Sequence, residues 1–296
     1  MHNDTARPFI AILTVSILLL IVVFLRDIEE PGNFPVTPPQ LEKIEATGIE
    51  QLESTFSDYD YTWPPPDRVP PLALRNMPPG MGELKVDRKK SVFFRAVLPM
   101  ILAENERIRQ KREFLRYALA DYDSLSRKER RRLQDIAVEY NVEENLAKES
   151  ARSRLLRRVD VIPVSLALAQ AANESAWGDS RFSVEGNSLF GVWTWDETSG
   201  ITPQRRKEGK KHLVRSYADL QTSVRAYMHT LNTGHAYRKF RKKRREMRAN
   251  DQAPDGVVLT GLLERYSERG MAYVAEIREM IRSNHLDRLN HLRLEE

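Results

Sequence analysis

The chain has 296 residues, room for one or two domains, with 41% hydrophobic and 30% charged residues and a formal net charge of +5. The basic balance points to anionic neighbours: a polyanionic glycan, membrane head groups or nucleic acid. The absence of cysteine excludes a disulfide framework, a thiolate nucleophile and any Cys-based metal site.

Residues 9–25, Phe-Ile-Ala-Ile-Leu-Thr-Val-Ser-Ile-Leu-Leu-Leu-Ile-Val-Val-Phe-Leu, carry no charge. That is the short end of a membrane-spanning length. Arg26, Asp27, Glu29 and Glu30 follow, with no small-residue cleavage site, so the run reads as an uncleaved signal anchor behind a cytoplasmic tail, residues 1–8. A buried core helix is the competing reading. Arg7 and Arg26 flank the run, one on each side, and leave orientation weakly specified. Residues 26–84 read as a Pro-rich linker. Pro31 to Pro79 holds eleven of the sixteen prolines and predicts a semi-rigid, extended tether, with a short helix over 40–51.

Residues 85–158 read as a helical scaffold. Phe93, Phe94, Val97, Met100, Ile101 and Ile108 form one apolar stripe, which Pro99 is expected to kink or divide. Ser126 and Glu129 have capping-box spacing and announce a second helix; a third spans 144–159. Pro163 suits the start and Gly178 the residue past the end of an Ala- and Leu-rich helix. One ionisable side chain stands on it, Glu174, about one turn from that expected end. Burial and the negative end of the helix dipole both disfavour its ionised form, which suits a general acid. A solvated residue at a helix end is the plain alternative.

Residues 179–200 have loop composition with four aromatics. Trp193 and Trp195 either stack on sugar faces or pack in a core; Phe190 leans to the core. Residues 200–217 predict a short hairpin with a basic cluster, Arg205, Arg206, Lys207, Lys210 and Lys211. Leu220, Val224, Tyr227, Met228 and Leu231 mark an amphipathic helix. Arg238 to Arg248 is a basic helix, read first as a solvated face, then as a contact for anionic glycan or membrane, with nucleic acid not expected. Tyr273 shares a stripe with Ile277, Met280 and Ile281 and reads as core. The six histidines lack zincin spacing, and neither a phosphate loop nor a Gly-x-Ser-x-Gly elbow is present, so no metal and no organic cofactor are expected.

Ala169-Gln-Ala-Ala-x-Glu174-Ser175-x-Trp177-Gly178-x-Ser180, followed by Gly186-Asn187-x-Leu189-Phe190-Gly191, resembles the core motif of bacterial peptidoglycan glucosaminidases, in the lysozyme-like superfamily. The resemblance is closest to envelope proteins of Bax type and extends from about Lys89 to Leu286. It implies a mainly α, lysozyme-like domain over 159–286 with a small loop and hairpin region, which the run at 9–25 would precede with one transmembrane helix and a tail, 287–296, would follow. It implies an endo-β-N-acetylglucosaminidase acting on peptidoglycan strands, periplasmic and held at the inner membrane by a single span. It implies that Glu174, at the Glu of the family's Glu-Ser-x-Trp-Gly, is the catalytic acid. Tyr266, in the segment Tyr266-Ser-Glu-Arg-Gly-Met-Ala-Tyr273-Val-Ala-Glu-Ile277 that is similar to the family's Tyr-Ala-x-Asp-x-x-Tyr-x-x-x-Ile, would face it across the cleft, although core packing fits Tyr266 equally well. Ser175, Asn187, Phe190, Trp193 and Trp195 are the candidate substrate contacts.

Glycoside hydrolysis ordinarily uses two carboxyl groups. Glu185, Asp196, Glu197 and Glu208 lie where the second should be. Glu208 stands at about the family's distance from the acid, but in an unusual Arg- and Lys-rich context. The sugar's acetamido group, a lytic transglycosylase with a single Glu, and a non-catalytic peptidoglycan-binding scaffold all remain open.

Overall fold

The apolar stripe after residue 85 becomes the axis of the fold. In the computed structural model, which describes residues 37, 39–202 and 213–295, the elements run as follows. The first part holds β1 (Glu42–Ile44), α1 (Ile49–Asp58), β2 (Arg68–Val69), β3 (Leu72–Leu74) and α2 (Val86–Ala120). Next come α3 (Arg127–Glu139), α4 (Glu149–Arg158), α5 (Val164–Glu174), α6 (Arg181–Gly186), β4 (Trp193–Thr194), β5 (Gly200–Ile201) and β6 (Leu213–Arg215). The chain closes with α7 (Leu220–Thr233), α8 (Arg238–Ala249), α9 (Gly256–Thr260), α10 (Met271–Ser283) and β7 (Arg293–Leu294). The fold is mainly helical. The anchor at residues 9–25 and Glu208 with its basic cluster lie outside the described residues. No described helix is long and apolar enough to cross a membrane.

At 35 residues, α2 is about 52 Å long. It is not divided at Pro99, which is buried within it. Burial of nearly every residue from Val92 to Asn105 offsets the backbone hydrogen bond that proline removes. The predicted capping box of α3 forms: Ser126 Oγ accepts from Glu129 N–H at 3.3 Å, and Ser126 N–H donates to Glu129 Oε2 at 2.8 Å. Asp219 caps α7 through Thr222 N–H at 2.7 Å.

The expected tether is a packed layer instead. Ile49, Leu52 and Phe56, at helical spacing on α1, are buried, as are Val69, Leu72, Leu74 and Met77. Trp63 stacks on Phe94 of α2, with ring centroids 4.9 Å apart. The prolines sit mostly between short elements. There they spare backbone donors and leave β1 and β3 to pair in parallel, Glu42 opposite Leu72 and Ile44 opposite Leu74. The expected tail also packs: Leu286, Leu289 and Leu292 are buried, and β7 pairs in parallel with β2, Val69 opposite Leu294.

The basic helix α8 is not simply a solvated face. Arg241 and Arg244 are buried. Arg244 donates to the carbonyls of Asp160 and Val161, each at 3.0 Å, and to Asn232 Oδ1 at 2.7 Å. Asn105 of α2 grips the next residue from the other side, donating to Ile162 O at 2.8 Å and accepting from Ile162 N–H at 3.0 Å. These bonds fix residues 160–162, and with them the start of α5. That helix packs against α2, α9, α10 and the turn at 286–289.

Candidate active site

The helix α5 ends at Glu174 itself, not near Gly178. Ala176, Trp177 and Gly178 take left-handed φ of 51°, 61° and 84°. For two non-glycine residues that conformation costs roughly 1–2 kcal/mol each. The turn is held from three sides. Ser175 Oγ donates to Ala171 O at 2.6 Å and accepts from Gly178 N–H at 2.8 Å. Trp177 lies edge-on to Phe93 and Phe94. A Cβ on Gly178 would lie 2.9 Å from Met77 Cγ, so the supposed linker is the floor of this turn.

Glu174 thus projects from a rigid helix end. Burial pushes its carboxyl pKa up, outweighing hydrogen bonds from Tyr273 and Asn173, and the Glu276 charge adds to the rise against Arg269. Behind it runs a buried polar chain. Tyr227 O–H donates to Gln170 Oε1 at 2.7 Å, and Gln170 Nε2 donates to the Tyr273 hydroxyl oxygen at 2.6 Å. That leaves the Tyr273 proton for Glu174. In front, a Cβ built on Gly191, at φ +58°, would stand 3.7 Å from Glu174 Oε2.

Tyr266 lies in the same cluster. Its ring stacks on Tyr273 with centroids 5.5 Å apart, and its O–H donates to Phe190 O at 3.0 Å, which fixes the loop leading to Gly191. Phe190 is buried and stacks on Tyr227 at 3.9 Å, so it is a structural wall, not a substrate contact. Ser175 is fully buried and spent on the turn. Asn187, at φ +53°, closes α6 and donates to Tyr217 O at 3.2 Å, a post for the backbone. Trp193 and Trp195 are 49% and 73% exposed, which removes the core reading for both. Trp193 lies on β4 opposite Val214, at the outer strand of the antiparallel β4–β6–β5 sheet.

Two of the acid candidates serve local structure. Glu185 pairs with Arg181 at 3.1 Å. Asp196 accepts from Thr198 and Ser199 side chains and from Thr198 N–H, which hold its carboxyl below the usual range and shape the turn between β4 and β5. Sequence reasoning missed Gln170 and Glu276. Gln170 carries a signal, a lone amide four residues before Glu174 and so on the same face of an apolar helix. Glu276 follows Tyr273 by three positions on α10 and pairs with Arg269 at 2.7 Å.

Residues 149–286 match the glucosaminidase family described as mannosyl-glycoprotein endo-beta-N-acetylglucosaminidase. The chain is similar to Protein bax of Escherichia coli K12, 34% identical over 186 residues, covering 62% of this chain and 66% of that protein, just under two thirds of its length. No solved structure matches.

Proposed function

We propose that this chain, a member of the Bax-type, glucosaminidase-like family, is a peptidoglycan endo-β-N-acetylglucosaminidase in which Glu174 is the general acid. The observation that carries this reading is a half-buried carboxyl with a raised pKa at a rigid helix end, facing the bare backbone of Gly191. A protonated Glu174 gives its proton to the glycosidic oxygen of the leaving sugar. The carboxylate left behind is stabilised by the Tyr273 hydroxyl, which the Gln170 and Tyr227 side chains hold in orientation. Gly191 leaves space for the sugar at the bond that breaks. Trp193 and Trp195 offer exposed rings for sugar faces further along the strand.

We take Glu208 as the water-activating base on its sequence distance from Glu174 alone, thirty-four residues on. A second reading, a lytic transglycosylase, is favoured by the local engagement of Glu185 and Asp196, because that route needs only one Glu. In either reading residues 9–25 anchor the protein in the inner membrane, with the helical domain in the periplasm. The test is Glu174→Gln in the full chain, assayed by zymography on purified sacculi. A loss of about 100-fold or more is expected with an unchanged melting temperature. Wild-type digestion by a folded variant would overturn the assignment.

A further inference from the structure

A cavity of about 280 Å³ lies between α2, α3, α7 and the end of β6, on residues the chemistry above does not use. Its walls are amphipathic. Tyr140, Ile108 and Met228 supply apolar surface; Glu104, Arg107, Lys111, Glu139, Arg215 and Arg225 supply charge. Each acid already has a cation. Glu104, buried in α2, accepts from Arg225 Nε and Nη2 at 3.1 and 2.8 Å. Glu139 takes the ammonium of Lys111, itself buried. Arg107 is then in excess. It sits between the two carboxylates, with Nη1 3.7 Å from Glu104 and Nη2 3.8 Å from Glu139. Those distances give attraction without hydrogen bonds, so the fork is held near both acids while its donors are not used up by either. His229 Nε2 is engaged by Glu139 O at 2.7 Å, which fixes the ring at the rim.

We propose that this cavity binds a carboxylate carried on a short aliphatic chain, the chemistry of a peptide side chain or terminus, and that the peptide stem of the wall substrate supplies it. Arg107 would take the carboxylate in a two-pronged contact, with the aliphatic part against Tyr140 and Met228. The identification of the source rests on the peptidoglycan reading above. The two places share one helix, α7. Tyr227 faces the Glu174 chain from one side of α7, while Arg225, Ala226 and His229 line the cavity on another. A helix is about 10–12 Å across, and four extended residues span roughly 13–14 Å.

The test uses the full chain carrying Glu174→Gln, so that binding is read without cleavage, by calorimetry with N-acetylmuramyl-tetrapeptide, the peptide-free sugar, glutarate and inorganic phosphate. Arg107→Gln removes the fork; Ala226→Leu fills the cavity without changing charge and guards against a folding effect in the first variant. Tetrapeptide and glutarate binding weakened about tenfold or more by both substitutions, with Arg107→Lys intermediate, is the expected result. Equal affinity across folded variants overturns the site. Phosphate binding more tightly than the tetrapeptide overturns the stem as its occupant. Neither readout depends on catalysis, so a failure of the glucosaminidase reading registers separately, in the sacculus assay.

Discussion

Gly191 stands opposite Glu174 with only hydrogen on its α-carbon, and a methyl group there would lie 3.7 Å from the carboxyl Oε2. The position carries two constraints at once, because its φ of +58° is also left-handed. Gly191→Ala is therefore expected to cost about 1 kcal/mol of stability and to lower kcat on sacculi about tenfold or more by crowding the leaving group. Thermal melting alongside turnover separates the two effects. Unchanged turnover would show that the space before Glu174 is not used by substrate.

Tyr273→Phe removes the hydroxyl between Gln170 and Glu174. The hydrogen bond from Tyr273 lowers the Glu174 pKa, so its loss raises that pKa further. A general acid works while protonated, so the activity that wild type loses as pH rises would be lost at higher pH in the variant. The maximal rate should fall about tenfold, because the carboxylate formed after proton transfer loses its donor. A pH profile with its basic limb unmoved would remove Tyr273 from the chemistry.

Much of this site was legible in the sequence, and the rest was hidden for physical reasons. Glu174 stood out because one acid on an apolar, small-residue helix is costly unless used. Its position at the very end of α5 did not show, because Ala176 and Trp177 adopt a left-handed turn that neither residue favours locally; packing against Phe93, Phe94 and Met77 imposes it. Their stripes place Tyr273 and Tyr227 in the core, and both are buried, yet each also turns its hydroxyl to Gln170. Periodicity reports which face is buried and says nothing of where a phenol points. Proline counting misled in the first layer, because Leu52 and Phe56 pack between prolines that only mark the connections.

Asp160 gives a prediction about stability. Burial alone would push its carboxyl up, but Arg244, Arg112 and Arg248 around it outweigh burial and hold it below the ordinary aspartate value. A folded-state pKa below the unfolded one contributes stability that is present above the unfolded value and lost as pH falls through the folded one. Asp160→Asn leaves the buried Arg244 without its counter-charge and should cost about 3–5 kcal/mol at neutral pH. Urea unfolding at several pH values would show the gap between the proteins narrowing in acid. A gap that stays constant to acid pH would mean the charge on Asp160 contributes nothing.

The bond cleaved and the end produced distinguish the two chemistries left open. Hydrolysis on the reducing side of N-acetylglucosamine leaves that sugar at the new reducing end, whereas a muramidase leaves N-acetylmuramic acid there. In the transglycosylase route the 6-hydroxyl of the muramyl sugar attacks its own anomeric carbon, no water is consumed, and a 1,6-anhydro ring forms. The products differ by one water in mass, and borohydride reduces only a free end. Both routes need the proton of Glu174, so Glu174→Gln alone cannot tell them apart. The distinction lies in whether a base activates water. Digestion of sacculi by the full chain, followed by reduction and mass spectrometry, is expected to give N-acetylglucosaminitol ends, and Glu208→Gln should then reduce their yield about 100-fold or more. Anhydromuramyl ends, unaffected by Glu208→Gln, would overturn the hydrolytic assignment and leave Glu174 as acid and base in turn, with Tyr273 steadying both of its charge states.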